Sequence, residues 1–207
     1  GRPAVRDGMQ LTFLGTGSAM PLPDRVQSGL LLQRDDRALL VDCGSGVLHR
    51  LAGTDVGYEG VSTVLLTHHH LDHVADLLPL LKARWLAGED HLEVVGPAGT
   101  KSLVDDLLSV HEYLDGRVDL SVREVGPTEF SVAGFDVAAT ETTHSVDCLA
   151  YRFSADGADG DVVFSGDGEA ETRVANFAGG AAVLAHDCSF PDDVDVSNHP
   201  TPSQLGE

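Results

Sequence analysis

The chain has 207 residues, 42% of them hydrophobic, and carries 33 acidic side chains against 13 basic ones, for a formal charge of −20 at neutral pH. That length and apolar content suffice to bury a sizeable core in a single domain, and no run approaches the roughly 20 apolar residues that a bilayer span requires. So acidic a surface disfavours broad, non-specific nucleic-acid binding, which rests on basic contacts to phosphate. Blocks such as Asp192-Asp193-Val194-Asp195 repel one another in dilute buffer and are screened in molar salt, where the Debye length falls to about 3 Å, so the composition reads as that of a halophile.

In chain order, Gly1 to Gly8 has no apolar core and reads as an appended remnant ahead of Met9, not as a secretory signal, which leaves one domain over residues 9–207. Cys43, Cys148 and Cys188 are widely spaced and odd in number, which points to reduced thiols and a cytoplasmic setting. Met9 to Leu14 predicts a strand. The Gly15-Thr16-Gly17 that follows is not a dinucleotide loop, because Pro21 and Pro23 stand where its helix should begin. Gly29 to Gln33 and Ala38 to Val41 predict two strands joined by the charged turn Arg34 to Arg37. They end at Asp42-Cys43-Gly44-Ser45-Gly46, where Asp42 either caps a helix over Ser45 to Leu51 or supports a polar site. Val61 to Leu66 is a buried strand. Asp76 to Leu86 and Gly99 to Tyr113 have helical spacing, with Trp85 as packing in the first and Leu103, Val104, Leu107, Leu108 and Val110 inward in the second. His49, His91 and His111 are isolated and expected in solvent. Glu93 to Val95, Leu120 to Val125, Glu129 to Val132, Phe135 to Thr140 and Ala181 to Ala185 supply further strands, and Val162 to Asp167 reads as an apolar strand ending in Gly-Asp.

The chemistry concentrates in Thr67-His68-His69-His70-Leu71-Asp72-His73, at the end of the Val61 to Leu66 strand. In extended chain, side chains alternate, so His68 and His70 project together while His69 and Leu71 turn away. Once the backbone becomes helical, Asp72 and His73 are neighbours on a first turn and reach a second point nearby. Imidazole and carboxylate without thiolate suit zinc, iron or manganese.

HxHxDH, filled by His68, His70, Asp72 and His73, is the signature of the metallo-β-lactamase superfamily, and the chain resembles its ribonuclease Z-like branch from Met9 to Glu207. The resemblance implies an α/β (α+β) fold, an αββα sandwich of two mixed sheets flanked by helices. It implies further that His144 is the third imidazole ligand, that Asp167 bridges two ions, and that Asp42 supports the metal-site histidines from behind. His186-Asp187-Cys188-Ser189-Phe190 is similar to the family's HEATF segment, with aspartate in place of glutamate, and His199 to its HST histidine, which protonates the leaving group with the support of that acidic residue; His199 as a metal ligand is the alternative. Pro21 to Ser28 resembles a PxKxRN loop that contacts RNA, in which Arg25 fits as a substrate-binding residue while the lysine and asparagine are absent. The short interval from His144 to Asp167 has no room for the arm that grips tRNA in long-arm relatives. The last histidine ligand of the pattern would fall beyond Glu207, so either further chain supplies it or the second ion has only Asp72, His73 and Asp167.

The implied activity is hydrolysis by metal-bound hydroxide, with two divalent ions per chain, zinc first and manganese or iron as alternatives. One ion is held by His68, His70, His144 and Asp167, the other by Asp72, His73 and Asp167, while Asp72 orients water and His199 acts as acid. The leading expectation is a phosphodiesterase for a small or nucleotide-like phosphodiester; the alternatives are a tRNA 3′-processing endoribonuclease, a lactone hydrolase and a non-catalytic metal-binding module. The expected partner is a small anionic substrate, with RNA disfavoured, no membrane, and a homodimer compatible with the sequence.

Overall fold

Apolar runs such as Leu30-Leu31-Leu32 and Leu39-Leu40-Val41 have no polar face, so a sheet built from them must be covered on both sides. The computed structural model describes residues 9–16, 19–20, 22–142, 148–154 and 161–165, with the backbone of 183–186. Its first sheet runs in the order β1 (Gln10–Gly15), β2 (Gly29–Arg34), β3 (Arg37–Val41), β4 (Thr63–Leu65), β5 (His91–Gly96), β6 (Asp119–Glu124). It is antiparallel from β1 to β3 and parallel from β3 to β6. The second sheet comprises β7 (Glu129–Val132), β8 (Phe135–Glu141), β9 (Leu149–Ser154), β10 (Val162–Ser165) and β11 (Val183–His186), hydrogen-bonded in that order and antiparallel except between β10 and β11. Both sheets are therefore mixed, as the sequence implied.

Strand alternation divides the core in two. Leu30, Leu32, Leu39, Val41, Leu65 and Val95 pack against the second sheet, where Phe135, Val137, Tyr151, Phe153 and Phe164 meet them. Their neighbours Leu31, Leu40, Val64 and Val94 face the opposite way. That outer layer holds α1 (Val47–Ala52), α2 (Leu71–Val74), α3 (Leu77–Leu86) and α4 (Thr100–Val110), which contribute Val47, Leu51, Val74, Leu80, Leu81 and Val104. Each fully buried leucine contributes about 1.5–3 kcal/mol, which makes this two-sided burial the main support of the sheet. The β7–β8 hairpin turns through Ala133 (φ 48°) and Gly134 (φ 79°), the paired positive values of a type I′ turn. Arg37 on β3 donates from Nη1 to the Gly134 carbonyl at 2.9 Å and so ties the two sheets at this end.

Four elements differ from expectation. The helix predicted from Gly99 to Tyr113 stops at Val110 and gives way to a 3-10 turn at Glu112–Leu114. Val110, expected inward, is 76% exposed, because it lies about 240° around the helix from the buried Val104. The helix expected to start at Asp76 is preceded by the short α2, and the Glu93 strand extends over His91–Gly96. The last described strand includes His186 instead of ending before it. Trp85 packs as expected, with the Arg117 guanidinium 5.8 Å from its ring centre, and His49, His91 and His111 are exposed.

Nothing in the pattern around Arg84 marks it as buried. It is 2% exposed on α3, and its guanidinium donates to the carbonyls of Tyr58 (2.9 Å), Glu59 (2.8 Å) and His91 (2.9 Å). Carbonyls of a loop and a strand end are thereby satisfied by one planar fork.

Candidate metal centre

Parallel pairing of Val41 with Leu65 brings the ends of β3 and β4 side by side, so Asp42 stands next to Thr67. Asp42 has φ 61°, a left-handed conformation that a short polar side chain tolerates, and it is fully buried. Its carboxylate accepts from the Thr67 amide at 2.8 Å, from Thr67 Oγ1 at 2.8 Å and from His73 Nδ1 at 2.6 Å. The alternative reading of Asp42 as the cap of α1 does not hold. Asp76 takes that place, its Oδ2 accepting from the amides of Gly46 (2.9 Å) and Leu48 (3.0 Å).

These contacts settle the tautomers by proton counting. Thr67 has one hydroxyl proton and gives it to Asp42, so its oxygen accepts from His68 Nδ1 at 2.9 Å. His73 donates its own Nδ1 proton to the same carboxylate. In its neutral form each ring therefore carries its lone pair on Nε2, the form in which a histidine ligates a metal while its other nitrogen is held from behind. Asp42 and Thr67 fix two imidazoles at once.

The rings are also close. His68 and His70 lie 4.8 Å apart between centres, as strand alternation requires, and His68 and His73 only 4.0 Å apart. The sequence put His73 at a second point near the first. Because α2 begins at Leu71, with the His73 amide bonded to the His70 carbonyl at 2.9 Å, the turn folds His73 back over His68. Asp72 is 7% exposed, and its Oδ2 stands 3.4 Å from His73 Nε2. His69 turns away to bond Thr100 Oγ1 at 2.8 Å, and Leu71 is 79% exposed. The close approach of the Asp42 loop to α2 needs a glycine, since a Cβ on Gly44 would stand 2.0 Å from the Asp72 carbonyl oxygen.

Among the described residues no three His, Cys, Asp or Glu side chains are arranged to hold an ion by themselves. His144, Asp167, Asp187 and His199 lie outside those residues, and of His186 only the backbone is described. The chain flanking two of these positions does converge on the cluster. Thr142 and Cys148, on either side of His144, are bonded to each other at 3.0 Å, and the Leu149 amide donates to the Thr67 carbonyl at 2.9 Å. Ser165, just before Gly166 and Asp167, pairs with Ala150 on one side and His186 on the other. Nitrogen and carboxylate donors without thiolate fit a divalent metal of the zinc, manganese or iron type. Cys43, next to Asp42, packs in the apolar outer layer, where burial, reinforced by Asp76 and Asp42, pushes its thiol well above the ordinary 9.0.

Arg25 is half-buried in a tight turn, its amide bonded to the Leu22 carbonyl at 3.1 Å. The loop leads to the site through Gln27, whose amide bonds the Ser45 carbonyl at 3.0 Å and whose side chain accepts from the Ser45 amide at 2.9 Å. Thr67 and Asp76 went unnoticed in the sequence. Their one signal was position, immediately before the first histidine of the HxHxDH motif and just after its last.

A family model described as "Anti-Pycsar protein Apyc1" matches residues 9–205. A Ribonuclease Z from Mycobacterium marinum is 35% identical over 208 residues, covering 86% of this chain and 70% of that relative. The metallo-beta-lactamase fold protein YhfI from Bacillus subtilis matches in structure with a TM-score of 0.71 at 30% identity, over 86% of this chain and 70% of its own. Human tRNase Z, short form, has a TM-score of 0.72 at 23% identity over 84% and 75% of the two chains, a likeness of fold. The metallo-β-lactamase fold implies divalent metal binding, which the donor set above suits. The chain thus belongs to the family described as Anti-Pycsar protein Apyc1, and is a ribonuclease Z-like metallo-hydrolase of the metallo-β-lactamase fold.

Proposed function

We propose that the chain is a phosphodiesterase for a small or nucleotide-like phosphodiester, working with two divalent ions, zinc before manganese or iron. The observation that supports it most is the Asp42–Thr67 network, which holds His68 and His73 in the ligating tautomer 4.0 Å apart and beside Asp72. His144 and Asp167 complete the ligand set in this reading. Bound divalent ions supply Lewis-acid polarisation of a phosphoryl oxygen and bring the pKa of water down to about 7.

The chain's own residues do the rest. Asp72, next to His73, orients the attacking water; His199, supported by Asp187, donates a proton to the leaving oxygen; Arg25 receives substrate negative charge. In a chain of net charge −20, attraction of an anion depends on the centre and a few arginines, which favours a compact substrate over a long polyanion. A tRNA 3′-processing activity is the second reading, favoured by the relatives named Ribonuclease Z.

The test is turnover by the metal-loaded protein of bis(p-nitrophenyl) phosphate, cyclic mononucleotides, a precursor tRNA and a lactone. Turnover of the small phosphodiesters, abolished in His68→Ala, is the expected result. Cleavage of the tRNA alone promotes the second reading, hydrolysis of the lactone alone reassigns the substrate class, and inertness toward all four with a full metal complement leaves a binding module.

A further inference from the structure

We propose that Tyr151 is a positioning residue for the metal centre: its hydroxyl, together with the Leu149 amide, fastens β9 to the two carbonyls leading into His68 and so sets the spacing between the ligands of the two sheets. This rests on the metal-centre reading above. Leu149, Tyr151 and Phe153 alternate inward along β9, and Tyr151 is fully buried, its ring centre 6.2 Å from that of Phe130 and 6.1 Å from that of Phe153. A buried phenol must find an acceptor. Tyr151 finds it on the other sheet, in the Leu66 carbonyl at 2.7 Å, while Leu149 donates its amide to the next carbonyl, that of Thr67, at 2.9 Å. From the opposite side the Leu66 amide bonds the Val95 carbonyl at 2.7 Å, and the Thr67 amide bonds Asp42. The peptide units that carry His68 are thus held between β5 and Asp42 on one side and β9 on the other.

Strand β9 is also the hub of the second sheet. Ala150 pairs with Thr140 on β8 and with Ser165 on β10, the strands that run toward His144 and Asp167. A shift of β9 relative to Leu66 therefore moves one half of the ligand set against the other. Burial, with the charge of Asp42 second, pushes the Tyr151 phenol well above the ordinary 10.0, so it remains a donor throughout the neutral range. Removing the hydroxyl keeps the aromatic packing but leaves the buried Leu66 carbonyl without this donor.

The test compares wild type, Tyr151→Phe and Phe153→Leu as full chains, titrated with Co2+ by its visible absorption and with Zn2+ by calorimetry, alongside thermal melting. Tyr151→Phe is expected to weaken ion affinity about ten-fold, the scale of losing a supporting contact behind a ligand, and to alter the Co2+ spectrum. Phe153→Leu is expected to lower the melting temperature with affinity and spectrum unchanged. Unchanged affinity and spectrum in Tyr151→Phe overturn the proposal, as does a loss of affinity in both variants in proportion to their melting temperatures. A wild-type chain that takes up no divalent ion overturns the metal-centre reading itself.

Discussion

The first sheet and the second are stabilised by different physics. β2 to β5 are apolar on both faces and buried between the helices and the other sheet, and the polar side chains enclosed there (Asp42, Thr67, His68, His73, Arg84) make hydrogen bonds within the same half of the chain. β8, by contrast, alternates buried and accessible positions, and among the described residues the second sheet reaches the strand end before His68 through two hydrogen bonds from β9. The difference teaches that imidazole orientation is decided locally, by a network closed between Asp42 and His73, whereas completion of the site depends on how two sheets are docked.

Breaking the local network should have the largest effect. Asp42→Ala strips three donors of their acceptor and puts a Cβ-bearing residue without a polar group at φ 61°, so a stability loss of about 4 kcal/mol is expected in urea unfolding, with divalent-ion affinity lowered about 10–100-fold. If affinity survives, the imidazoles are not oriented from behind. Arg84→Met separates stability from site chemistry within the same half. It leaves three carbonyls without their donor at a cost of about 3 kcal/mol, while the metal titration should match wild type.

Alkaline pH probes both halves together, since Cys43 lies in one and Tyr151 in the other. Each has its folded-state pKa raised by burial, so above the ordinary values of 9.0 and 10.0 the unfolded chain loses protons that the folded chain keeps. Stability is therefore full below about pH 9 and falls as pH rises, by about 1.4 kcal/mol per unit for each group in its window. Urea midpoints measured from pH 8 to 11 check this, and Cys43→Ala should delay the onset. The smallest effect belongs to the accessible face of the second sheet. The Arg152 Nε to Asp161 pair, at 2.7 Å, has both side chains partly in solvent, so Arg152→Ala should cost only about 0.5 kcal/mol.

Much of this was legible before any coordinates. The apolar run Val61 to Leu66 read as a buried strand, and period-two alternation put His68 and His70 together and sent His69 and Leu71 away. Pattern was silent where a partner distant in sequence decided the outcome: Asp76 reaching the amides at the start of α1, and Arg84 drawn inward by three carbonyls.

What the sequence by itself determined is the inventory of chemistry: nitrogen and carboxylate donors at the end of a strand, in an order shared with metallo-β-lactamase-fold proteins. What only the tertiary structure decided is which nitrogen of each imidazole faces the site, and that the second sheet grips Leu66 and Thr67. Strand period is a local property of the backbone, whereas a tautomer is set by whichever hydrogen-bond partner arrives from elsewhere in the chain, and that partner is known only once the sheets have docked.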